Sequence, residues 1–170
     1  AIDWDERNGT EAAPKLDAPD HFFSKKSWSQ VFGVTDMGAR LAQRLNLPRP
    51  SRVQNMTFYD VQEGLNVLIA DQSGSGKTLA YMLPLFQRYV LGQPEDEEHL
   101  LKLVVLVPTS DLAEQTVAVA KSAAVNCGWD DFRVHSITGG QPATIQRRLL
   151  KNGVDMIVAT AGRLRWLMLE

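Results

Sequence analysis

Thiol chemistry is almost missing: the 170 residues hold one cysteine, Cys127. A lone thiol forms no internal disulfide, and no Cys/His cluster carries zinc spacing. Cys127 reads as a small residue near a helix end. Long hydrophobic runs are also missing, and the longest is far too short to span a bilayer, so no membrane partner is expected. No charged-then-apolar leader opens the chain. It begins at Ala1 rather than Met, which reads as a processed or trimmed start. An excess of basic charge is absent too. The net charge of −2 does not advertise a nucleic-acid binder. Its distribution says more: residues 1–130 carry 12 basic and 17 acidic side chains, residues 131–170 carry 6 and 3. A basic C-terminal end is compatible with a phosphate-contacting face.

What is there is ordinary for a soluble globular protein, with 44% hydrophobic and 22% charged residues. The length suffices for one domain with a real core. Residues 1–26 are polar and acidic, with Pro14 and Pro19, and read as a flexible N-terminal arm. Asp36 is placed to cap a helix carrying Met37, Leu41 and Leu45. Pro48 and Pro50 prevent its resumption, and a short helix from Ser51 follows. From there the chain alternates. Asn66–Ala70 reads as a buried strand, followed by a loop and a helix from Lys77 to about Leu91, with Pro84 as a kink point. Glu95-Asp96-Glu97-Glu98 reads as a solvated loop. Strands are expected at Lys102–Val107, Phe132–Ile137 and Val154–Ala159, and helices at Ser110–Ala124, Pro142–Lys151 and from about Arg163. Strands with little polar alternation, separated by helices, imply a doubly wound α/β domain with a parallel sheet. Ligands then gather at the carboxyl ends of the strands.

Ser73-Gly74-Ser75-Gly76-Lys77-Thr78 falls between an expected strand and an expected helix. That context gives a phosphate-loop string its meaning. Gly74 and Gly76 let backbone N–H groups turn inward onto oxygens, and the helix N-terminus adds its positive end. Lys77 would bridge the β- and γ-phosphates, and Thr78 would ligate Mg²⁺. Asp71 is the odd residue, because the general pattern has glycine there. A carboxylate facing a triphosphate is repulsive, and one that points away or caps a neighbouring N–H is tolerable.

The flanking strings narrow the choice. Pro50-Ser51-Arg52-Val53-Gln54, with Trp28 lying 26 residues before Gln54, resembles the Q motif of DEAD-box RNA helicases. Pro108-Thr109-Ser110-Asp111-Leu112-Ala113-Glu114-Gln115 resembles that family's motif Ia. Gly139-Gly140 resembles its glycine pair, and Thr160-Ala161-Gly162-Arg163 its T-P-G-R motif. The resemblance covers roughly residues 27–170 and implies a partial RecA-like P-loop NTPase domain. It implies ATP and Mg²⁺ as cofactors, with Lys77 and Thr78 catalytic and Ser73, Gly74, Ser75 and Gly76 around the phosphates. Gln54 would read the adenine edge, since an amide offers both a donor and an acceptor, and Trp28 would stack near it. Phe32 is the competing aromatic. Pro108, Thr109, Gly139, Gly140, Thr160, Gly162 and Arg163 would line an RNA backbone without reading bases. The ADQSGSGKT wording is similar to plant and algal organellar members, which makes plastid or mitochondrion the candidate compartment of an intracellular protein.

Departures are plain. Ser73 keeps a hydroxyl where the family has threonine. Ser110 and Asp111 replace the arginine and glutamate of motif Ia, and Ala161 replaces a proline. No D-E-A-D or S-A-T string occurs within the 170 residues. The chain alone is therefore expected not to hydrolyse ATP. The resemblance implies a second RecA-like domain bearing an arginine finger as its partner. The alternative is a degenerate helicase-derived scaffold or RNA-binding component of a larger ribonucleoprotein assembly. An unrelated P-loop enzyme, such as a small-molecule kinase, would need neither the glycine pair nor the TAGR turn.

Overall fold

The computed structural model describes residues 22–32, 47–89 and 101–169. The expected helix with Met37, Leu41 and Leu45 and the acidic loop at 95–98 lie outside these residues, as do residues 1–21 of the arm. The chain divides into two compact units after Pro84.

In the first unit, helix α1 (Trp28–Phe32) contributes Trp28, Val31 and Phe32 to a core. Phe32 meets Phe58 edge-on at 4.6 Å. Phe58 lies on α2 (Arg52–Gln62), which the sequence led us to expect from Ser51. Ser51 starts it with a capping box: its hydroxyl accepts from the Gln54 N–H, and the Gln54 side chain accepts from the Ser51 N–H. Helix α3 (Lys77–Tyr89) runs through Pro84. A proline has no N–H to offer the carbonyl four residues back, here that of Ala80. The Thr57 hydroxyl lies 3.4 Å from that carbonyl and 2.8 Å from its own helix's Val53 carbonyl.

Two expectations are corrected here. Residues 22–26, assigned to the arm, are partly fixed: Phe23 pairs antiparallel with Ser51, and the Ser24 and Arg52 N–H groups donate to the Pro50 and Phe22 carbonyls. The apolar residues Phe22 and Phe23, whose rings meet at 5.1 Å, separate this piece from the polar stretch before it. The expected strand at Asn66–Ala70 is not a strand. Leu68 is 94% exposed, and no described strand pairs with this run. A strand is held by its partners' hydrogen bonds, and an apolar run without them has no ladder to join.

The second unit is a three-stranded parallel sheet in the order β1-β3-β2, formed by β1 (Leu103–Val107), β2 (Val134–Ile137) and β3 (Met156–Thr160). Helices α4 (Ser110–Asn126), α5 (Ala143–Lys151) and α6 (Ala161–Leu169) follow the strands. Ile157 and Ala159 of β3 cluster with Ile137, and Leu150, Leu164 and Leu167 of α5 and α6 cover them. The opposite face carries Ser136, whose hydroxyl donates to Glu114 of α4 at 2.6 Å. Alternation across the strand thus puts helices on both faces, the doubly wound arrangement read from the sequence. Helix α4 sits on the sheet through Ala113, Ala120, Ala123 and Ala124. Phe86 at the end of α3 is fully buried against Trp129 and Phe132. Cys127 is buried at the end of α4, as its bland reading expects, and burial pushes its thiol up to about 12. Among the described residues no helix is long and apolar enough to cross a membrane.

Candidate nucleotide and RNA-backbone site

The phosphate loop is a turn at Ser73–Ser75 that runs into α3. Gly74 and Gly76 both take left-handed backbone angles, with φ of 79° and 91°. Residues with a Cβ rarely adopt these, so glycine is required by the turn itself. The Lys77 amine curls back and donates to the Asp71 and Gln72 carbonyls, at 2.7 and 2.6 Å. The Asp71 carboxylate accepts from the Gln72 N–H at 2.8 Å, the tolerable arrangement anticipated for this misfit. Within the same turn the Ser75 hydroxyl is buried with no partner among the described residues. Thr78 is half-buried at the helix start, and Ser73 is exposed. Among the described residues no group of three His, Cys, Asp or Glu side chains is placed to hold a metal ion.

Gln54 is more deeply engaged than the sequence implied. It is 5% exposed. Its Oε1 accepts from the Ser51 N–H, and its Nε2 donates to the Gly76 carbonyl at 3.2 Å. The amide thus braces the phosphate loop against the start of α2. One N–H and one lone pair remain for a base. Trp28 does not stand where the stacking role needs it. The ring is 1% exposed and tilts against Phe32, and its indole N–H donates to the Leu47 carbonyl at 2.8 Å. A ring without an exposed face offers a base nothing to stack on. Trp28 is a core residue that holds the approach to Pro50. The competing aromatic, Phe32, is buried as well.

The three other motifs emerge together. The strands are parallel, with Val107 opposite Thr160 and Ile137 opposite Ala159. Pro108-Thr109, Gly139-Gly140 and Thr160–Arg163 therefore leave the sheet at the same end, the carboxyl ends of its strands. The Thr109 hydroxyl caps α4 by accepting from the Leu112 N–H at 3.2 Å. A side chain added at Gly139, Gly140 or Gly162 would meet nothing within 4 Å. These glycines border open surface and are not demanded by internal packing. Arg163, read as a phosphate fork, is partly engaged within the protein. Its Nε donates to Gln146 Oε1 at 2.8 Å and its Nη2 to the Gln141 carbonyl at 2.9 Å. Its guanidinium also lies 4.7 Å from the Trp166 ring. Three of the five guanidinium N–H groups remain.

The residue that sequence reasoning missed is Gln146. It is fully buried, accepts from Arg163 and donates to the Thr138 carbonyl at 2.8 Å. One amide thus ties the turn after β2 to helix α6, which follows β3. The available signal was its place on α5, one turn before Leu150 on the face toward the core. A polar side chain there needs internal partners.

Comparison with known proteins identifies the family. A family model described as DEAD/DEAH box helicase matches residues 51–170. The DEAD-box ATP-dependent RNA helicase 50 of Arabidopsis thaliana is 38% identical over 99% of this chain and 21% of its own length. The rice protein of the same name is 35% identical over 88% of this chain and 23% of its own. Among solved structures, the DEAD-box helicase Mss116 bound to ssRNA and UDP-BeF aligns with a TM-score of 0.75 over 87% of this chain and 31% of its own, at 24% identity. A hypothetical ATP-dependent RNA helicase from Sulfolobus tokodaii aligns with a TM-score of 0.61 over 78% of this chain and 36% of its own, at 29% identity. The chain spans about a fifth of the length of the curated relatives it matches. On the family match and these identities, the chain belongs to the DEAD/DEAH box helicases.

Proposed function

We propose that the chain is the ATP- and RNA-binding part of an ATP-dependent RNA helicase that opens short duplexes. The observation that carries this reading is the inner arrangement of the phosphate loop. A lysine amine rests on two loop carbonyls, and a serine hydroxyl is buried unpaired in the same turn. Both are groups that a triphosphate satisfies better than the loop does, because hydrogen bonds to a charged oxygen are the stronger ones. Bound ATP would supply the γ-phosphoryl group. Lys77 would exchange carbonyl for phosphate oxygens, Thr78 would face Mg²⁺, and Gln54 would hold Gly76 in place while offering its free N–H and lone pair to adenine. The open glycine surface at 139, 140 and 162 would let an RNA backbone approach closely, with Thr109, Thr160 and the spare N–H groups of Arg163 as donors.

Residues 1–170 hold no D-E-A-D string, so water activation is assigned to residues beyond them, and the arginine finger to a second RecA-like domain. Intracellular residence, in a plastid or mitochondrion, belongs to the same reading.

The test is nucleotide titration together with RNA-stimulated ATP turnover, in the longest natural chain containing residues 1–170. Loss of a charge-assisted hydrogen bond costs about 1.5–3 kcal/mol, so Lys77→Ala should weaken ATP binding by about 10- to 150-fold. Unchanged affinity in this variant, or ATP turnover indifferent to RNA, refutes the reading.

A further inference from the structure

We propose that a cavity on the outer side of α2, away from the phosphate loop, is a second anion site that takes a phosphate-bearing nucleotide unit. Backbone pairing builds it. The bridge between Phe23 and Ser51 lays residues 22–24 beside 50–52, with the Ser24 N–H on the Pro50 carbonyl at 2.8 Å. That register brings Lys25 and Lys26, which follow one bridged segment, beside Arg49 and Arg52, which belong to the other. The four cations line one cavity of about 570 Å³ together with Phe23 and Asn55. Its size falls within the range of small-ligand pockets, roughly 300–1,000 Å³.

Charge makes this cavity unusual. The whole sequence has a net charge of −2, yet four cations converge here, and among the described residues none that lines the cavity is acidic. Aromatic rings hold two of the four: the Arg49 guanidinium lies 5.7 Å from the Phe23 ring and the Lys26 amine 5.8 Å from the Tyr59 ring. Lys25 and Arg52 are exposed. Like charges gathered without counter-charges repel, and an anion relieves them. The helix terminus is not the attraction, because its first donors are spent on Phe22 and on the capping box. In the wall, the Asn55 side-chain oxygen is buried without a partner among the described residues. It is an acceptor for an N–H donor, which phosphate alone lacks and a nucleobase carries. Cations for phosphate, an aromatic ring and an amide acceptor together describe a nucleotide.

This cavity is separate from the triphosphate site. Successive helix residues turn by about 100°, so Arg52 and Met56 share one side of α2 while Gln54 points roughly the other way, toward Gly76. No phosphate-loop residue lines the cavity. The nucleotide unit can come from an RNA strand or from a free nucleotide. The RNA source rests on the function proposed above.

The experiment uses the longest natural chain and the double variant Lys25→Gln/Arg52→Gln. Binding of a labelled 12-nucleotide single-stranded RNA is followed by anisotropy across salt concentrations. Uridine 5′-monophosphate is titrated separately in a Lys77→Ala background, which removes competition from the phosphate loop. Each single-strand phosphate contact contributes about 0.7 to the salt slope, or about fivefold in affinity at 0.1 M salt, so two lost contacts predict about 25-fold weaker RNA binding and a slope shallower by about 1.4. The charge-keeping variant Lys25→Arg/Arg52→Lys should stay near the parent, which separates charge from folding. An RNA effect supports the strand as source, and loss of mononucleotide binding alone supports the free nucleotide. If RNA affinity, slope and mononucleotide binding are all the same in the neutralised variant, the cavity is not a nucleotide site, even where the parent binds RNA normally. A parent that binds no RNA refutes the RNA reading itself and leaves the mononucleotide titration to decide for or against the cavity.

Discussion

Replacing Gly76 by alanine tests the contact between the phosphate loop and the capping box directly. Two costs are expected. The backbone at residue 76 has φ of 91°, which an alanine adopts at a cost of about 1–2 kcal/mol. The new Cβ would also lie 2.5 Å from Gln54 Nε2, 3.3 Å from its Cδ and 3.5 Å from Ser51 Oγ. Something must move, and the amide end of Gln54 moves most easily. Its displacement gives up two hydrogen bonds, the donation to the Gly76 carbonyl and the acceptance from the Ser51 N–H, at about 1 kcal/mol each. The total is about 3–4 kcal/mol, a large share of a domain's usual 5–15 kcal/mol. Urea denaturation of four proteins measures it: the parent, Gly76→Ala, Gln54→Ala and the double variant. In the Gln54→Ala background the crowded amide is gone. Gly76→Ala should then cost only the backbone part, leaving a coupling of about 2 kcal/mol between the sites. Costs that add within about 0.5 kcal/mol would mean the two residues do not touch in solution, and the brace would be refuted.

Three further outcomes follow from single side chains. Trp28→Phe keeps a ring but loses the hydrogen bond to the Leu47 carbonyl; it should cost about 1 kcal/mol in stability and leave ATP affinity within about twofold, and a selective tenfold loss of ATP affinity would return Trp28 to a base-stacking role. Burial raises the Cys127 thiol to about 12 from an ordinary 9.0, which leaves about a thousandth of the usual thiolate at alkaline pH; alkylation should be slow in the folded protein and fast in urea, and equal rates would contradict its buried position. His135 is held below its ordinary 6.5, first by burial and then by the charge of Lys121; because the folded state favours the neutral ring, the stability is whole above pH 6.5 and declines as pH falls toward the folded value, so His135→Gln should flatten the acid limb of a stability-against-pH curve.

The second unit was legible because its signals are local. Short apolar runs such as Leu103–Val107 and Met156–Thr160 are bounded by prolines, glycines and caps, and the helices between them show the longer period. The boundaries moved by one or two residues, as fraying ends do. The run Val67-Leu68-Ile69-Ala70 gives the same local signal and fails. Whether such a run becomes a strand is decided by a neighbour, and none of the described strands pairs with it. Local composition cannot supply a hydrogen-bonding partner.

The site divides along the same line. Glycines at 74 and 76 are legible because their need is local, a backbone angle other residues avoid. Gln54 was found, but its labour was only half seen. The resemblance implies an amide near a base, whereas the brace to Gly76 joins residues 22 apart in the chain. Gln146 escaped because no motif string contains it, yet it ties Thr138 to Arg163 from a fully buried position. Each of these amides joins one motif turn to another element, and each is buried with both ends engaged. A motif read as ligand contacts is therefore incomplete as physics. The loops hold their shape because side-chain amides satisfy backbone groups that the turns leave open, and replacing either glutamine by leucine of similar size would strand those groups.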